Sequence, residues 1–408
     1  MGQVGAASRM RPWHVAMTGR DPAEPHRAST PLELLFDLCF VVAVASVAQA
    51  LHHDLVDGQI WHGLVNYLVI FFAIWWPWMN FTWFASAYDT DDVQYRLLTF
   101  VQIAGVLVVA AGVPAAFNEQ DFTTMVAGYI VMRIALVAQW VRAAREDPTR
   151  RAVALRFAVG ITLIQVGWVV RLLVGWSEVG YLTFVVLGVL ELAVPAWAER
   201  AGRETPWHAG HIVERYGLFT IIVLGECVLA TTTAVQTALD AGGVAAPLLM
   251  VAVGGLLLVF ALWWAYFKRE PDIGHHRSLR TMLGWGYGHY FVFAAVAALG
   301  AGLGVAADTT HEVTDLGTQA AAATVAVPVA VYLAALAVLH AVRGISLLRQ
   351  VVVAIAIALV SVLAATWTGV AAAVVVTAIL VSVLVAINVV TVARQPPSGS
   401  GRADRLAE

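Results

Sequence analysis

Three ionisable residues lie where a membrane-spanning helix normally excludes charge. Arg133, Glu191 and Glu226 each stand within a long apolar run, and the rise of 1.5 Å per residue places all three near the middle of a span. An intramembrane charge costs roughly 3 kcal/mol on insertion scales, so each is a candidate functional group. One guanidinium can pair with one carboxylate, which leaves a second acid for a proton or a cation. The alternative is that Arg133 only joins two helices through an ion pair.

Two further acids, Glu33 and Asp37, share one face of a predicted helix because they are four residues apart. They lie about one turn inside the cytoplasmic boundary of the first span. Two such carboxylates repel each other, so they either form a site where protons or cations enter or meet arginines from neighbouring loops. Arg96 and Arg280 are available for that pairing, and both interpretations stay open.

The start of the seventh span carries His211, Glu214 and Arg215. A histidine and a glutamate three residues apart can place two metal ligands on one face of a helix. The sequence offers no recognisable second pair of ligands, and Glu214 is favourably placed near a helix N-terminus. We therefore predict a polar network at the start of this helix, and neither a metal ion nor another cofactor.

Two other polar residues fall inside predicted spans. His289 is a candidate for a proton relay because imidazole titrates near neutral pH, and a hydrogen-bonded core histidine is the alternative. Asn80 follows Pro77, which removes a helical hydrogen bond. Asn80 therefore either lines a cavity at a kink or belongs to an aromatic belt at the membrane interface.

Composition places the elements that must position these residues in a membrane. Sixty per cent of the 408 residues are hydrophobic and 12% are charged, whereas a typical soluble domain is about 25% charged. The sequence indicates membrane lipid as a partner and no nucleic acid. Cys39 and Cys227 lie in apolar runs and are given no chemistry, and the sequence leaves the oligomeric state open.

Long apolar stretches predict an all-α polytopic bundle, since about 20 apolar residues cross a bilayer as a helix. The twelve predicted spans are 32–51, 62–86, 93–115, 122–144, 151–175, 179–199, 210–236, 245–267, 282–306, 318–341, 346–366 and 370–393.

Charge along the chain predicts the orientation of these spans. Alternating loops place 22 of the 24 Lys and Arg residues on the side that holds both termini, which predicts that this side is cytoplasmic. We expect a multi-pass protein of the cytoplasmic membrane. Residues 1–30 and 395–408 are predicted to be disordered cytoplasmic tails, since they are polar and rich in proline, glycine or serine.

Similar features recur in the two halves of the chain, 31–203 and 204–394. The first and seventh spans open with ELLFDLCFVV from Glu33 and ERYGLFTIIVLGE from Glu214, and tryptophan pairs in IWWPW and LWWAY mark the second and eighth. We predict a parallel internal repeat of six plus six spans, the arrangement of carriers that bind their cargo between two halves.

Several segments resemble the bacterial low temperature requirement protein A family. They are PLELLFDLCFVVAV (31–44), WWPWMNFTWFASAYD (75–89), HIVERYGLFTIIVLGE (211–226), LWWAYF (262–267) and GYGHYFVF (286–293). The resemblance covers roughly residues 30 to 393. It implies a multi-spanning membrane protein of a family named for growth in the cold and without an agreed biochemical activity.

Three functions remain open from the sequence. The first is a secondary carrier of a small solute or ion, coupled to protons or another cation through Glu226, Glu191 and Arg133. The second is an intramembrane enzyme that uses the same carboxylates as acid and base on a lipid. The third is a sensor or assembly partner linked to cold adaptation. No nucleophile or metal-ligand motif favours the enzyme, and no phosphate-binding loop indicates direct ATP coupling.

Overall fold

The computed structural model of the chain describes residues 12–25, 27–174, 180–240, 245–268, 279–311, 314–340 and 346–393. These residues form helices, turns and extended segments, without a strand among them. The described α-helices are α1 (Pro31–Val56), α2 (Ile60–Tyr88), α3 (Val93–Asn118), α4 (Thr123–Glu146), α5 (Arg151–Val174), α6 (Gly180–Ala198), α7 (Ala209–Asp240), α8 (Ala246–Phe267), α9 (Leu279–Asp308), α10 (Thr318–His340), α11 (Leu347–Thr368) and α12 (Val370–Ala393).

The prediction of an all-α polytopic bundle is confirmed. Within the described residues, eleven helices are long and apolar enough to cross a membrane, and α7 is the one outside that set. Large apolar side chains face outward, for example Leu163, which is 64% exposed, and Trp367, which is 90% exposed. Such surfaces suit lipid, so the chain is a multi-pass membrane protein. The predicted C-terminal tail, 395–408, lies outside the described residues.

The helices form two compact units. The first unit comprises Met1–Asp54, Gln59–Val223 and Asp272–Ala294, and the second comprises Leu55–Gly58, Leu224–Pro271 and Ala295–Glu408. Helices α1, α7 and α9 contribute residues to both. The division therefore does not follow the two predicted halves, and the internal repeat is not confirmed.

Glycines allow close helix packing in the first unit. Gly105 of α3 and Gly128 of α4 face each other, and a Cβ on either would lie 2.7 Å from the carbonyl oxygen of the other. No side chain fits at that distance, so the two helices approach through their backbones, as is common in membranes. Helices α4, α5 and α6 then pack in sequence order.

A proline inside α2 frees a backbone carbonyl for a hydrogen bond from α4. Pro77 lacks an N–H group, so the carbonyl of Ala73, four residues earlier, loses its helical donor. The hydroxyl of Tyr129 on α4 donates to that carbonyl instead. The helix stays continuous, and Tyr129 is held against α2.

A proline inside α10 of the second unit also lies one turn after a carbonyl at a helix contact. Pro328 within α10 releases the carbonyl of Thr324, which lies directly against Gly302 of α9. An added Cβ at Gly302 would collide with that oxygen, so glycine is required for the close approach of α9 and α10. In the same unit, α8 packs against α12 and α10 against α11.

Residues 12–25 and 27–30 differ from the predicted disordered tail. The backbone N–H of Val15 donates to Asp92 at 2.8 Å, and that of Met17 donates to Glu146 at 2.5 Å. Arg27 donates to the carbonyl of Ala85 at 2.7 Å. Polar groups at the ends of α2, α3 and α4 therefore hold a segment that has little apolar surface of its own.

Candidate functional site

A fully buried cluster of charges lies between α1 and α7. Nη1 of Arg215 is 3.1 Å from Oε1 of Glu33, and Nε of Arg215 donates to Oδ2 of Asp37 at 3.1 Å. Nη2 of Arg215 also donates to Oδ1 of Asp37. All three side chains are 0% exposed. One guanidinium from α7 thus holds both carboxylates that α1 places on one face.

His211 joins the cluster from the turn of α7 that precedes Arg215. Its Nε2 lies 3.1 Å from Oε1 of Glu33 and 3.3 Å from Oε2. The backbone N–H of Thr30 donates to the same Oε2 at 2.7 Å, while the Thr30 hydroxyl accepts from the N–H of Glu33. Nδ1 of His211 is buried and has no hydrogen-bond partner within the part of the chain that the structure describes.

Helix α2 completes the cluster with two uncharged side chains. Nε1 of Trp78 donates to Oδ1 of Asp37 at 2.7 Å, and Oγ1 of Thr82 lies 3.5 Å from Nη2 of Arg215. Trp78 is also stacked on Phe219 of α7, with ring centroids 4.2 Å apart. Aromatic packing therefore fixes the indole that orients Asp37.

The charges of this cluster do not balance. Two carboxylates and one guanidinium leave one excess negative charge when His211 is neutral. An uncompensated charge is very costly in a buried apolar site, so one bound proton is needed to balance the cluster. His211 or one of the carboxyl groups can carry that proton. The arrangement is chemically suited to taking up and releasing a single proton.

A second buried ion pair links α4 and α6. Nη2 of Arg133 donates to Oε2 of Glu191 at 3.0 Å, and the two side chains are 3% and 8% exposed. Nε1 of Trp168 on α5 donates to the other carboxylate oxygen at 3.3 Å. The guanidinium carbon lies 5.4 Å from the ring centre of Tyr129. The structure therefore brings together two of the three residues predicted near the middle of the membrane.

This pair leaves donors unused. Within the described residues, Nε and Nη1 of Arg133 are buried without a hydrogen-bond partner. Glu191 lines a cleft in the first unit, together with Phe72, Trp76, Tyr129, Gln165 and Trp168. The pair is electrically balanced, in contrast to the cluster around Arg215.

Glu226, the third predicted midplane residue, belongs to the second unit. It lies on α7 and is 9% exposed, and the backbone at Glu226 packs against Gly300 of α9. The next residue, Cys227, is fully buried and its thiol donates to the carbonyl of Val296 at 3.4 Å. The meeting of Glu226 with Arg133 and Glu191 stays a prediction.

The remaining predicted residues have defined surroundings in the first unit. Nδ1 of His289 donates to the carbonyl of Trp285 at 2.8 Å, and its ring is packed among aromatic rings of α7 and α9. Glu214 accepts from the backbone N–H of Ser29 at 3.1 Å. Nδ2 of Asn80 donates to the carbonyl of Trp76 at 2.7 Å, and Asn80 lines a separate cleft.

A buried pair outside the spans lies near the cluster. Arg27 is 4.0 Å from Asp89, and it also donates to the carbonyl of Ser86. Burial raises the pKa of Asp89 to about 6, and the charge of Glu33 adds to this rise while Arg27 opposes it. Burial likewise lowers the pKa of Arg27, although Glu33 and Asp89 oppose that change.

Sequence reasoning missed the partner of Glu33 and Asp37. Arg96, one of the two arginines considered, donates to Asp91 at 2.7 Å instead. Arg215 was singled out, but only as part of a local network at the start of its helix. Gln165, Trp78 and Thr82 carried no signal in the sequence, because single uncharged polar residues and tryptophans are common in membrane helices.

Among the described residues, no group of three or more His, Cys, Asp and Glu could hold a metal ion.

The chain matches the model of a known protein family. The model of the bacterial low temperature requirement A protein (LtrA) family matches residues 28–389. An uncharacterized protein of Rhizobium meliloti (strain 1021) is 29% identical over 264 residues, which are 62% of this chain and 61% of the relative. The chain thus spans about three fifths of the length of that curated relative. The match of the family model extends over all twelve helices except the last few residues of α12.

Proposed function

We propose that this protein, which belongs to the bacterial low temperature requirement A family, is a proton-coupled secondary carrier of a small solute. The supporting observation is the excess of one carboxylate in the fully buried cluster of Glu33, Asp37, His211 and Arg215. A structural ion pair needs one acid and one base. A cluster with two acids, one arginine and one histidine gains or loses a whole charge whenever a proton binds.

The coupling follows from this change of charge. With a proton bound, the cluster is neutral and can remain sealed between α1, α2 and α7. Without the proton, the excess charge favours a conformation in which water or a cation reaches it, since buried charge is costly. A solute that binds better to one of the two conformations then shifts the proton equilibrium. Proton release on one side and uptake on the other would drive transport.

The proposal places both termini in the cytoplasm, following the distribution of Lys and Arg. The cluster is formed by the first turns of α1 and α7, which begin on that side in the predicted orientation. Its proton would therefore exchange with the cytoplasm. Arg133 and Glu191 lie deeper and would contribute to the path of the solute.

The experiment uses purified protein in sealed liposomes that contain a pH-sensitive dye. Pools of neutral and charged solutes are added, and solute-dependent proton movement is recorded. Glu33→Gln should abolish the proton signal, because one carboxylate, one guanidinium and a neutral histidine balance without a proton. Glu214→Gln is the matched control, since Glu214 directly precedes Arg215 and accepts from the backbone N–H of Ser29, and it should retain the signal.

Infrared spectroscopy tests the cluster without knowledge of the solute. A pH titration of the detergent-solubilised protein should show a protonated carboxylic acid band that Glu33→Gln changes and Glu214→Gln leaves alone. If Glu33→Gln alters neither the band nor proton movement, the cluster is a structural support and the coupling proposal is wrong. Conversion of a membrane lipid without any gradient would instead favour an enzyme.

A further inference from the structure

We propose that the cleft containing Gln165 binds a small neutral molecule with an apolar body and a carboxamide-like head, which offers one donor and one acceptor side by side. The inference rests on the proposed function only in taking this molecule as the transported solute. Binding itself depends on the cleft of the first unit, which is lined by residues of α2, α4, α5 and α6.

Gln165 supplies the first argument. It lines the cleft and is only 9% exposed. Within the described residues, neither its Nε2 donor nor its Oε1 acceptor has a hydrogen-bond partner. An unmet amide in a membrane helix costs free energy, because lipid offers no hydrogen bonds. A ligand with an adjacent donor and acceptor would satisfy both atoms in one planar pair of hydrogen bonds.

The charges at the cleft favour a neutral ligand. Glu191 is the acid in its wall, and Arg133 already neutralises it at 3.0 Å. A cation at this position would compete with Arg133, whereas an anion would meet the carboxylate. Trp168 occupies the other oxygen of Glu191 at 3.3 Å. The ion pair therefore fixes the shape of one wall. Arg133 is not among the residues that line the cleft, whereas Gln165 is.

The apolar walls favour a flat body. Phe72 and Trp76 of α2 are stacked, with ring centroids 6.1 Å apart and an interplanar angle of 14°. Trp168 and Phe184 form an edge-to-face pair with centroids 5.1 Å apart. Aromatic surfaces in these arrangements suit an aromatic or short branched aliphatic group.

The test measures binding of tritiated benzamide to the purified full-length protein in detergent by scintillation proximity. Benzamide carries the predicted head on a flat apolar body. We expect saturable binding that unlabelled benzamide displaces. Acetophenone has the same size and an acceptor but no donor, so it should compete at least fivefold more weakly. Benzoate is charged at neutral pH and should not compete.

Two variants locate the site. Gln165→Met keeps the length of the side chain and removes both hydrogen bonds, so it should weaken benzamide binding at least tenfold and abolish the preference over acetophenone. Ala73→Leu narrows the cleft without changing Gln165 and should reduce binding of both compounds. Gln59→Leu is the matched control, because Gln59 is exposed and its side chain makes no cap at the start of α2. Thermal unfolding of each variant checks that the fold is retained.

Three results would overturn the inference. They are the absence of saturable binding, equal binding by Gln165→Met, and equal competition by acetophenone. Equal competition would indicate that a lipid chain or another wholly apolar group occupies the cleft. If benzamide binds as predicted but the protein moves no protons in liposomes, the carrier proposal is wrong and the proposed binding site is retained. Solute-driven proton movement without benzamide binding would reject the site and keep the carrier.

Discussion

The first unit contains two buried charge centres with different balances. The cluster around Arg215 has two carboxylates, a guanidinium and a histidine, and its carboxylates and guanidinium are fully buried. The pair of Arg133 and Glu191 has one charge of each sign and is slightly more exposed. A balanced pair can stay as it is, whereas an unbalanced cluster responds to protons. Burial alone fits a structural role or a functional role, and we propose that the balance of charges distinguishes the two.

The largest expected effect comes from removal of the shared guanidinium. Arg215→Met leaves two buried carboxylates without their partner, and loss of one member of a buried ion pair costs about 3–5 kcal/mol. We expect a strongly reduced Tm in detergent at neutral pH, followed by tryptophan fluorescence. The defect should shrink in acid, because protonation removes both negative charges.

The control for Arg215→Met neutralises the whole cluster. The triple variant Glu33→Gln, Asp37→Asn, Arg215→Met removes all three charges together, so its Tm should return most of the way to the original value. A single variant as stable as the original protein would contradict the sealed cluster, since water would then have to reach the carboxylates.

Removal of Arg133 should lower the free energy of unfolding by less than removal of Arg215. Arg133→Met leaves one carboxylate, which keeps its hydrogen bond from Trp168 and can be protonated. We expect a loss of roughly 2–3 kcal/mol, measured as a smaller decrease in Tm than that of Arg215→Met. Adding Glu191→Gln to this variant should restore stability. A loss larger than that of Arg215→Met would reverse the comparison between the two centres.

A pH effect is expected next to the cluster. The pKa of Asp89 is raised to about 6, whereas an unfolded aspartate has a pKa near 3.9. The folded protein binds more protons than the unfolded chain between these values, so the free energy of unfolding falls as the pH rises through this interval. Asp89→Asn should remove this fall, because the amide does not titrate.

Denaturant titrations between pH 4 and pH 7 measure the effect of Asp89→Asn. Asp91→Asn is the neighbouring control, because Asp91 pairs with Arg96 at a more exposed position. That variant removes a smaller contribution to the raised pKa of Asp89, so it should change the pH profile less than Asp89→Asn does. An unaltered slope in Asp89→Asn would show that Arg27 compensates the carboxylate fully.

The smallest effect is expected at the exposed pair of Arg96 and Asp91. These side chains are 40% and 17% exposed, and partly exposed ion pairs contribute about 0–1 kcal/mol. Arg96→Met should therefore change Tm little, and added salt should remove any difference. A loss as large as that of Arg133→Met would mean that Arg96 supports the nearby N-terminal segment as well.

Much of the fold was predictable because membrane insertion is a local property of the sequence. Each apolar run of about 20 residues must close its own backbone hydrogen bonds, so helices and their approximate bounds follow from composition. The hydrogen bonds of residues 12–25 could not be predicted for the same reason. They depend on acids such as Asp92 and Glu146 at distant helix ends, and composition does not reveal such partners.

The sequence by itself determined that the chain is a polytopic helical membrane protein, and it identified Glu33, Asp37, Arg133, Glu191, His211 and Arg215 as charges in unusual places. Spacing along one helix also put Glu33 and Asp37 on one face. Only the tertiary structure decided which charges meet. Arg215 reaches Asp37 across 178 residues of sequence, and Arg133 reaches Glu191 across 58. Helical periodicity specifies neighbours within a few residues, whereas the packing of whole helices selects distant partners and sets the charge balance of each centre.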